Sequence, residues 1–254
     1  MMAGGARMKV IGIVGYKKSG KTMLVVALAR ELIGRGYRVA TVKHASEGVD
    51  LPERDTAKHR EVVEQVGAIS SEESAIFFNG PMPLEEMLSH VNADIVLVEG
   101  FKEEKTFPKM LCLSGREEDQ ELLDGLLLCA VGTEAAPDAA ARLGVPVLDP
   151  EREIGAIADL AENRAFKLPN LNCEGCGYTT CYDLARAIVR GEAKVEDCVS
   201  LYATTEVRIQ GERLALNPFI SNMVGSTLRG MLSTLRGFRE GTIEIRIGVE
   251  GAQD

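Results

Sequence analysis

Eight residues near the start of the chain have the types and spacing of a phosphate-binding loop. They follow the pattern G-x-x-x-x-G-K-T and are Gly15, Tyr16, Lys17, Lys18, Ser19, Gly20, Lys21 and Thr22. Glycines at both ends allow a tight turn whose backbone N–H groups point inward, beside the N-terminus of the next helix. We expect Lys21 to reach the β- and γ-phosphates of a nucleotide and the Thr22 hydroxyl to lie on Mg²⁺.

A carboxylate that could serve the same chemistry follows a second apolar run. Residues 95–98 are four consecutive aliphatic side chains, which predict a strand buried on both faces, and Glu99 comes directly after them. The C-terminal end of such a strand faces the crevice in which α/β sheets bind ligands. Glu99 is therefore predicted to orient water or to bind Mg²⁺ directly or through water, although a solvated acid at a strand end has the same pattern.

The six cysteines fall into two groups. Cys112 and Cys129 lie in apolar runs and are predicted to be buried, reduced thiols. The other four form one cluster and are Cys173, Cys176, Cys181 and Cys198. Four thiolates without histidine suit either tetrahedral Zn²⁺ or a [4Fe–4S] cluster. The cluster contains only one C-x2-C pair, whereas structural zinc usually shows two, so the spacing favours iron–sulfur.

Strands alternate with helices up to about residue 165, which predicts an α/β fold with a doubly wound, mainly parallel sheet. A small α+β region should follow. We predict three units: a nucleotide-binding domain at 8–165, a four-cysteine module at 170–200 and an extension at 204–250. Among the predicted elements are helices at 56–66, 135–143, 181–190 and 218–237, a hairpin at 206–216 and a strand at 242–247. The helix at 218–237 is amphipathic, and we expect it to pack on that hairpin and strand.

Composition excludes several classes of protein. The chain has 254 residues and a formal net charge of −9, which argues against a general nucleic-acid-binding surface. No apolar run approaches the ~18 residues of a membrane span. Residues 1–7 lack the apolar core of a secretory signal and are expected to be disordered, so the sequence predicts a cytoplasmic protein without membrane or nucleic-acid partners.

The cysteine cluster and its surroundings resemble a known module. The stretch C-E-G-C-G-Y-T-T-C at 173–181, with A-R-A-I-V-R-G-E-A at 185–193 and Cys198, is similar to the small four-cysteine [4Fe–4S] domain of Rnf-type electron-transport subunits and corrinoid iron–sulfur proteins. The resemblance includes all four ligands. It implies an iron–sulfur cluster rather than zinc.

Residues 8–165 resemble the molybdopterin-guanine dinucleotide biosynthesis protein B (MobB) family. The matching signatures are the loop 15–22, V-K-H at 42–44, Asp50 with D-T at 55–56, G-A at 67–68, V-E-G-F-K at 98–102 and P-K at 108–109. The resemblance implies a P-loop GTPase-like adapter, usually a homodimer. Such an adapter assists the guanylyltransferase that attaches GMP to molybdopterin, or passes the cofactor to a molybdoenzyme apoprotein.

The resemblance also implies roles for further residues. Asp55 and Glu99 would lie near Mg²⁺ and the γ-phosphate and would act with Lys21 in a weak GTPase. Lys43 and His44 would line the same crevice. Tyr16 stands where some dimeric relatives of this class place a second catalytic lysine. No N-K-x-D motif for reading guanine occurs, so the preference for GTP over ATP rests on the resemblance.

Three functions remain open at this point. The chain could be a nucleotide-dependent adapter in molybdenum or tungsten cofactor assembly. It could instead be a nucleotide-driven redox activator whose cluster passes electrons to a metalloenzyme. It could also be a carrier in which nucleotide only gates cluster or cofactor transfer. The signatures at 42–44 and 98–102 favour the first, because generic nucleotide-driven electron transfer requires neither.

Overall fold

The computed structural model describes residues 8–45, 48–49, 54–132, 140, 142–201, 205–209, 212–214, 216, 218–239, 241–245 and 247. The disorder expected at 1–7 and most of the helix predicted at 135–143 lie outside these residues.

The strands of the first domain form one parallel sheet with a hairpin beside it. The sheet consists of β1 (Lys9–Val14), β2 (Val39–Lys43), β5 (Ile95–Glu99), β6 (Lys109–Cys112), β7 (Leu127–Val131) and β8 (Val147–Leu148). Its order is β2-β5-β1-β6-β7-β8, and all neighbours are parallel. The separate antiparallel hairpin consists of β3 (Gln65–Ile69) and β4 (Ser74–Phe78). The predicted doubly wound, mainly parallel sheet is confirmed.

Helices cover both faces of the sheet. The helices of the chain are α1 (Lys21–Gly34), α2 (Asp55–Arg60), α3 (Leu84–Ser89), α4 (Ile154–Arg164), α5 (Cys181–Arg190) and α6 (Pro218–Ser233). Those that cover the sheet are α1, α3 and α4. On one face, α1 and α4 bury Leu28 and Ile157 against β1 and β5. On the other face, α3 buries Leu84 and Leu88 beside Phe107. Burial on both faces explains why β1, β5 and β7 are continuous apolar runs instead of alternating patterns.

The order of the strands positions the candidate site. Strand β1 lies between β5 and β6 in the sheet. The connection from β5 to β6 therefore crosses from one side of β1 to the other. The C-terminal ends of β1, β2 and β5 meet at one edge, and the register pairs Lys43 with Glu99. This edge at a topological switch point is where open α/β sheets bind ligands.

One prediction in the first domain is wrong. The helix predicted at 56–66 is shorter, since α2 ends at Arg60 and β3 begins at Gln65. Val66 pairs with Phe77 across the hairpin and is buried. A contact between segments about ten residues apart therefore overrides the local helical pattern.

The C-terminal extension also differs from the prediction. Its hairpin consists of two short strands, β9 (Arg208–Ile209) and β10 (Glu212–Arg213), and α6 ends at Ser233. The described residues 242–245 and 247 form no strand, because β9 and β10 pair only with each other in that part of the chain. Met231 of α6 and Leu235, which follows α6, are 65% and 59% exposed, so the expected packing of these two side chains is wrong.

The four-cysteine module packs against residues of the first domain that flank the parallel sheet. Helix α5 begins at Cys181, is capped by the Thr180 side chain and ends at Gly191, whose φ is 77°, as the glycine pattern predicts. Leu184 of α5 is fully buried with Leu126, which precedes β7. No helix in the described part of the chain is long and apolar enough to cross a membrane.

Candidate nucleotide and cluster sites

The glycine loop turns between β1 and α1 as its spacing predicts. Gly15 has φ 152°, and a Cβ atom there would lie 2.5 Å from Ser19 Oγ and 2.6 Å from the Cys112 carbonyl oxygen. Gly20 has φ 85° and immediately precedes the first residue of α1. Both positions therefore require glycine, one for close approach and one for a left-handed backbone.

The lysine and serine of the loop point into it. Lys21 Nζ donates a hydrogen bond of 2.6 Å to the Tyr16 carbonyl oxygen, and partial burial lowers the pKa of Lys21. Ser19 Oγ is buried without a hydrogen-bond partner among the described residues. A buried hydroxyl without a partner is costly, and a polar ligand in the loop would satisfy it.

Glu99 joins three elements at the sheet edge. Thr22 Oγ1, at the start of α1, donates to the Glu99 carboxylate at 3.1 Å. Lys43 Nζ, at the end of β2, lies 3.2 Å from the same carboxylate, which belongs to a side chain only 10% exposed. A hydroxyl and a carboxylate side by side are hard oxygen ligands of the kind that Mg²⁺ prefers.

A cleft of about 420 Å³ opens beside these groups. It is lined by Lys17, Lys18, Ser19, Gly20, Lys21, Thr22, Met23, Lys43 and Glu99. Four ammonium groups face one carboxylate, so the cleft is positive although the chain as a whole is acidic. Such a cleft attracts a polyanion.

Three predicted residues lie away from this cleft in the described part of the chain. Asp55 is 85% exposed and pairs with Lys58 of its own helix. His44 lies behind Gly100, with its ring edge-on to Phe101 at 5.1 Å. Tyr16 points outward, and its hydroxyl donates to Glu121 at 2.9 Å. Catalytic or ligand-binding roles for Asp55, His44 and Tyr16 remain predictions that these contacts do not support.

Sequence reasoning missed the surroundings of Tyr16. The Lys102 ammonium lies 4.1 Å from the centre of the Tyr16 ring, and hydrogen bonding to Glu121 raises the pKa of the Tyr16 phenol. Lys102 belongs to the V-E-G-F-K signature at 98–102. Glu121 is 105 positions from Tyr16, and no motif around it indicates the contact.

The four clustered cysteines line a common cavity. Cys181 and Cys198 are buried, Cys173 and Cys176 are partly exposed, and burial raises the pKa of Cys198. Asn172 Oδ1 accepts a hydrogen bond of 2.8 Å from the Cys181 backbone N–H. A donor set of four sulfurs around one cavity fits an iron–sulfur cluster. Among the described residues no three His, Cys, Asp or Glu side chains are already grouped as they would be around a metal ion.

The other two cysteines behave as predicted. Cys112 and Cys129 lie in β6 and β7 and are buried and free of disulfides. Burial raises the pKa of each thiol to about 12. They are therefore protonated core residues at neutral pH.

The glycine loop between a central parallel strand and its helix defines a P-loop nucleotide-binding fold. A family model described as "Molybdopterin guanine dinucleotide synthesis protein B" matches residues 10–132, and one described as "Putative Fe-S cluster" matches residues 168–200. The "Putative molybdopterin-guanine dinucleotide biosynthesis adapter protein" of Methanocaldococcus jannaschii is 30% identical over 252 residues, 95% of this chain and 98% of the relative. The chain belongs to the MobB family, in a form extended by the four-cysteine module.

Two further similar proteins match only part of this chain. The molybdopterin-guanine dinucleotide biosynthesis adapter protein of Haemophilus influenzae is 38% identical over 110 residues, 40% of this chain and 61% of the relative. The crystal structure of a MobB homologue from Bacillus stearothermophilus covers 61% of this chain and 99% of its own, with 25% identity and a TM-score of 0.46.

Proposed function

We propose that the chain is a GTP-binding adapter that assists the attachment of GMP to molybdopterin, forming the guanine dinucleotide cofactor of a molybdenum or tungsten enzyme. The observation that carries the proposal is the cleft in which Lys21, Lys43 and Glu99 surround the opening of a glycine loop. Membership in the MobB family supports the biosynthetic context. The partners we propose are the guanylyltransferase, molybdopterin or a molybdoenzyme apoprotein, and a second copy of the chain.

In this proposal the loop amides and Lys21 would hold the β- and γ-phosphates, and Thr22 and Glu99 would hold Mg²⁺. Mg²⁺ supplies charge neutralisation between the phosphates. Lys43 keeps the Glu99 carboxylate in place. Hydrolysis by the isolated chain should be slow, since the described structure places no second carboxylate beside Glu99.

We also propose that the four cysteines hold a [4Fe–4S] cluster, which Cys173 and Cys176 leave partly accessible from outside. The observation that favours the alternative, a nucleotide-driven redox activator, is the packing of α5 against residues that precede β7. Because the module packs on the nucleotide domain, a conformational change on nucleotide binding would also displace the cluster. The adapter remains the better-supported function because a relative whose printed name is an adapter protein is similar to this chain over both domains.

Formation of guanine dinucleotide cofactor by the partner transferase tests the adapter function. GTP and the wild-type chain together should stimulate formation, and the chain with Lys21→Ala should not. No stimulation by the wild-type chain, together with nucleotide-dependent reduction of a metalloenzyme, would establish the redox activator instead.

Substitution of Glu99 by glutamine should weaken Mg²⁺-dependent nucleotide binding. Glutamine keeps the shape of the side chain but removes the negative charge that would hold Mg²⁺, so we expect metal affinity to fall by at least about 10-fold, the lower bound known for groups that only support a metal ligand. Calorimetric titration with GTP at several Mg²⁺ concentrations measures the change. Asp55→Asn is the matched control and should have no effect, because Asp55 pairs with Lys58 away from the cleft. An equal loss in both variants would show that Asp55 does reach the metal.

A further inference from the structure

A short segment contacts both the phosphate loop and the cysteine module. We name residues 121–124 the bridge segment. At one end Glu121 accepts a hydrogen bond from the hydroxyl of Tyr16, the second residue of the glycine loop. At the other end the Asp124 carbonyl oxygen accepts a hydrogen bond from the hydroxyl of Tyr182, which follows Cys181. Only two residues thus separate the contact to the loop from the contact beside a cluster ligand.

A buried lysine makes a second connection between the same sites. Lys109 is 1% exposed, and its Nζ lies 2.6 Å from the Asp124 carboxylate and donates to the Lys102 carbonyl oxygen, also at 2.6 Å. The Lys102 ammonium in turn lies over the Tyr16 ring. Both connections therefore end on Tyr16, and the hydrogen bonds of Lys109 are strengthened by burial.

The cysteine side of the bridge segment is closely packed. Gly125 has φ 76°, and a Cβ atom there would lie 3.0 Å from Arg186 Nε of α5. Leu126 is fully buried in the same cluster as Cys181 and Cys198. Because packed interiors transmit displacement, we expect a shift of α5 to displace residues 124–126 as well.

We propose that the bridge segment couples the cysteine cavity to the nucleotide cleft, so that the chain binds nucleotide more tightly with its cluster than without it. This inference rests on the proposed function. A bound cluster fixes Cys181 and therefore Tyr182, Asp124 and the contacts around Tyr16. A loop ordered in advance loses less conformational entropy when it binds nucleotide. The coupling is reciprocal, so nucleotide stabilises the cluster-bound state by the same factor.

The test compares nucleotide affinity of the full chain with and without its cluster. A fluorescent GTP analogue is titrated into anaerobically loaded protein and into chelator-treated protein. The dissociation constant of the cluster-free protein should be about 5 to 20 times that of the loaded protein. Tyr182→Phe removes only the hydroxyl that contacts Asp124 and should bring this ratio close to one. Tyr37→Phe is the matched control: it removes a hydroxyl that donates to Glu162 at 2.7 Å on α4, and it should leave the ratio unchanged.

A second variant approaches the bridge from the loop side. Lys102→Met keeps the aliphatic part of the side chain and removes the cation above Tyr16. This variant should also lower the ratio of dissociation constants. It tests the coupling even where Tyr182→Phe fails to hold its iron. Equal affinity of the loaded and cluster-free wild-type chain overturns the coupling and leaves the adapter function intact. If the ratio of dissociation constants keeps its wild-type value in Lys102→Met and in iron-loaded Tyr182→Phe, the coupling does not pass through the bridge segment. Absence of nucleotide binding in both states overturns the proposed function and the coupling with it.

Discussion

Substitution of Lys21 by alanine should weaken binding of GTP by about 100-fold or more, equivalent to about 3 kcal/mol. The Lys21 ammonium is held inside the glycine loop by the Tyr16 carbonyl, and partial burial lowers its pKa. A partly dehydrated ammonium contributes more to binding of a phosphate than a fully hydrated one, because less water has to be displaced. Isothermal titration with GTP and Mg²⁺ measures the loss as a change in affinity and not only in turnover.

Lys17→Ala is the matched control, since it removes the same charge from the same loop. Lys17 is an exposed residue at the rim of the cleft, so its substitution should weaken binding less than about tenfold, as expected for a solvent-screened charge. Both variants should unfold within a few degrees of the wild-type chain. Unchanged affinity in Lys21→Ala would show that the loop is not the phosphate site.

The phosphate loop could be predicted from sequence because its geometry is local. Gly15, Gly20 and Lys21 fall within seven consecutive positions, and the backbone turn requires these residue types wherever the loop occurs. The strand at 95–98 was equally clear, because burial on both faces leaves a continuous aliphatic run. The position of Glu99 at this edge of the sheet therefore follows from the sequence alone.

The features that could not be predicted depend on distant partners. Gln65–Ile69 is a strand only because Ser74–Phe78 pairs with it, and the predicted strand at 242–247 has no partner in the described part of the chain. Lys109 did carry a signal, since a lysine within an apolar strand needs a buried counterion. Its partner Asp124 lies 15 positions away and is found only in the folded chain.

Substitution of Cys198 by serine should remove the cluster. The wild-type chain, purified without oxygen, should be brown and contain about four iron atoms per chain, and the variant should contain close to none. Serine is a hard oxygen ligand in place of a soft thiolate, and Cys198 is only 4% exposed, so water cannot replace the missing ligand easily. Iron analysis and the visible absorption spectrum measure the result.

Cys129→Ala is the control that separates ligand loss from damage to the core. Cys129 is fully buried in β7, outside the cysteine cavity, so this variant should keep its iron while losing about 1 kcal/mol of stability through a small cavity. Cys198 belongs to the same buried apolar group as Leu126 and Leu184, so we expect a bound iron–sulfur cluster to stabilise the packing between the module and the first domain. Cys198→Ser should therefore loosen α5 as well as lose iron, which faster hydrogen exchange at residues 182–190 would reveal. A colourless wild-type chain with about one zinc atom would assign the four cysteines to a structural metal instead.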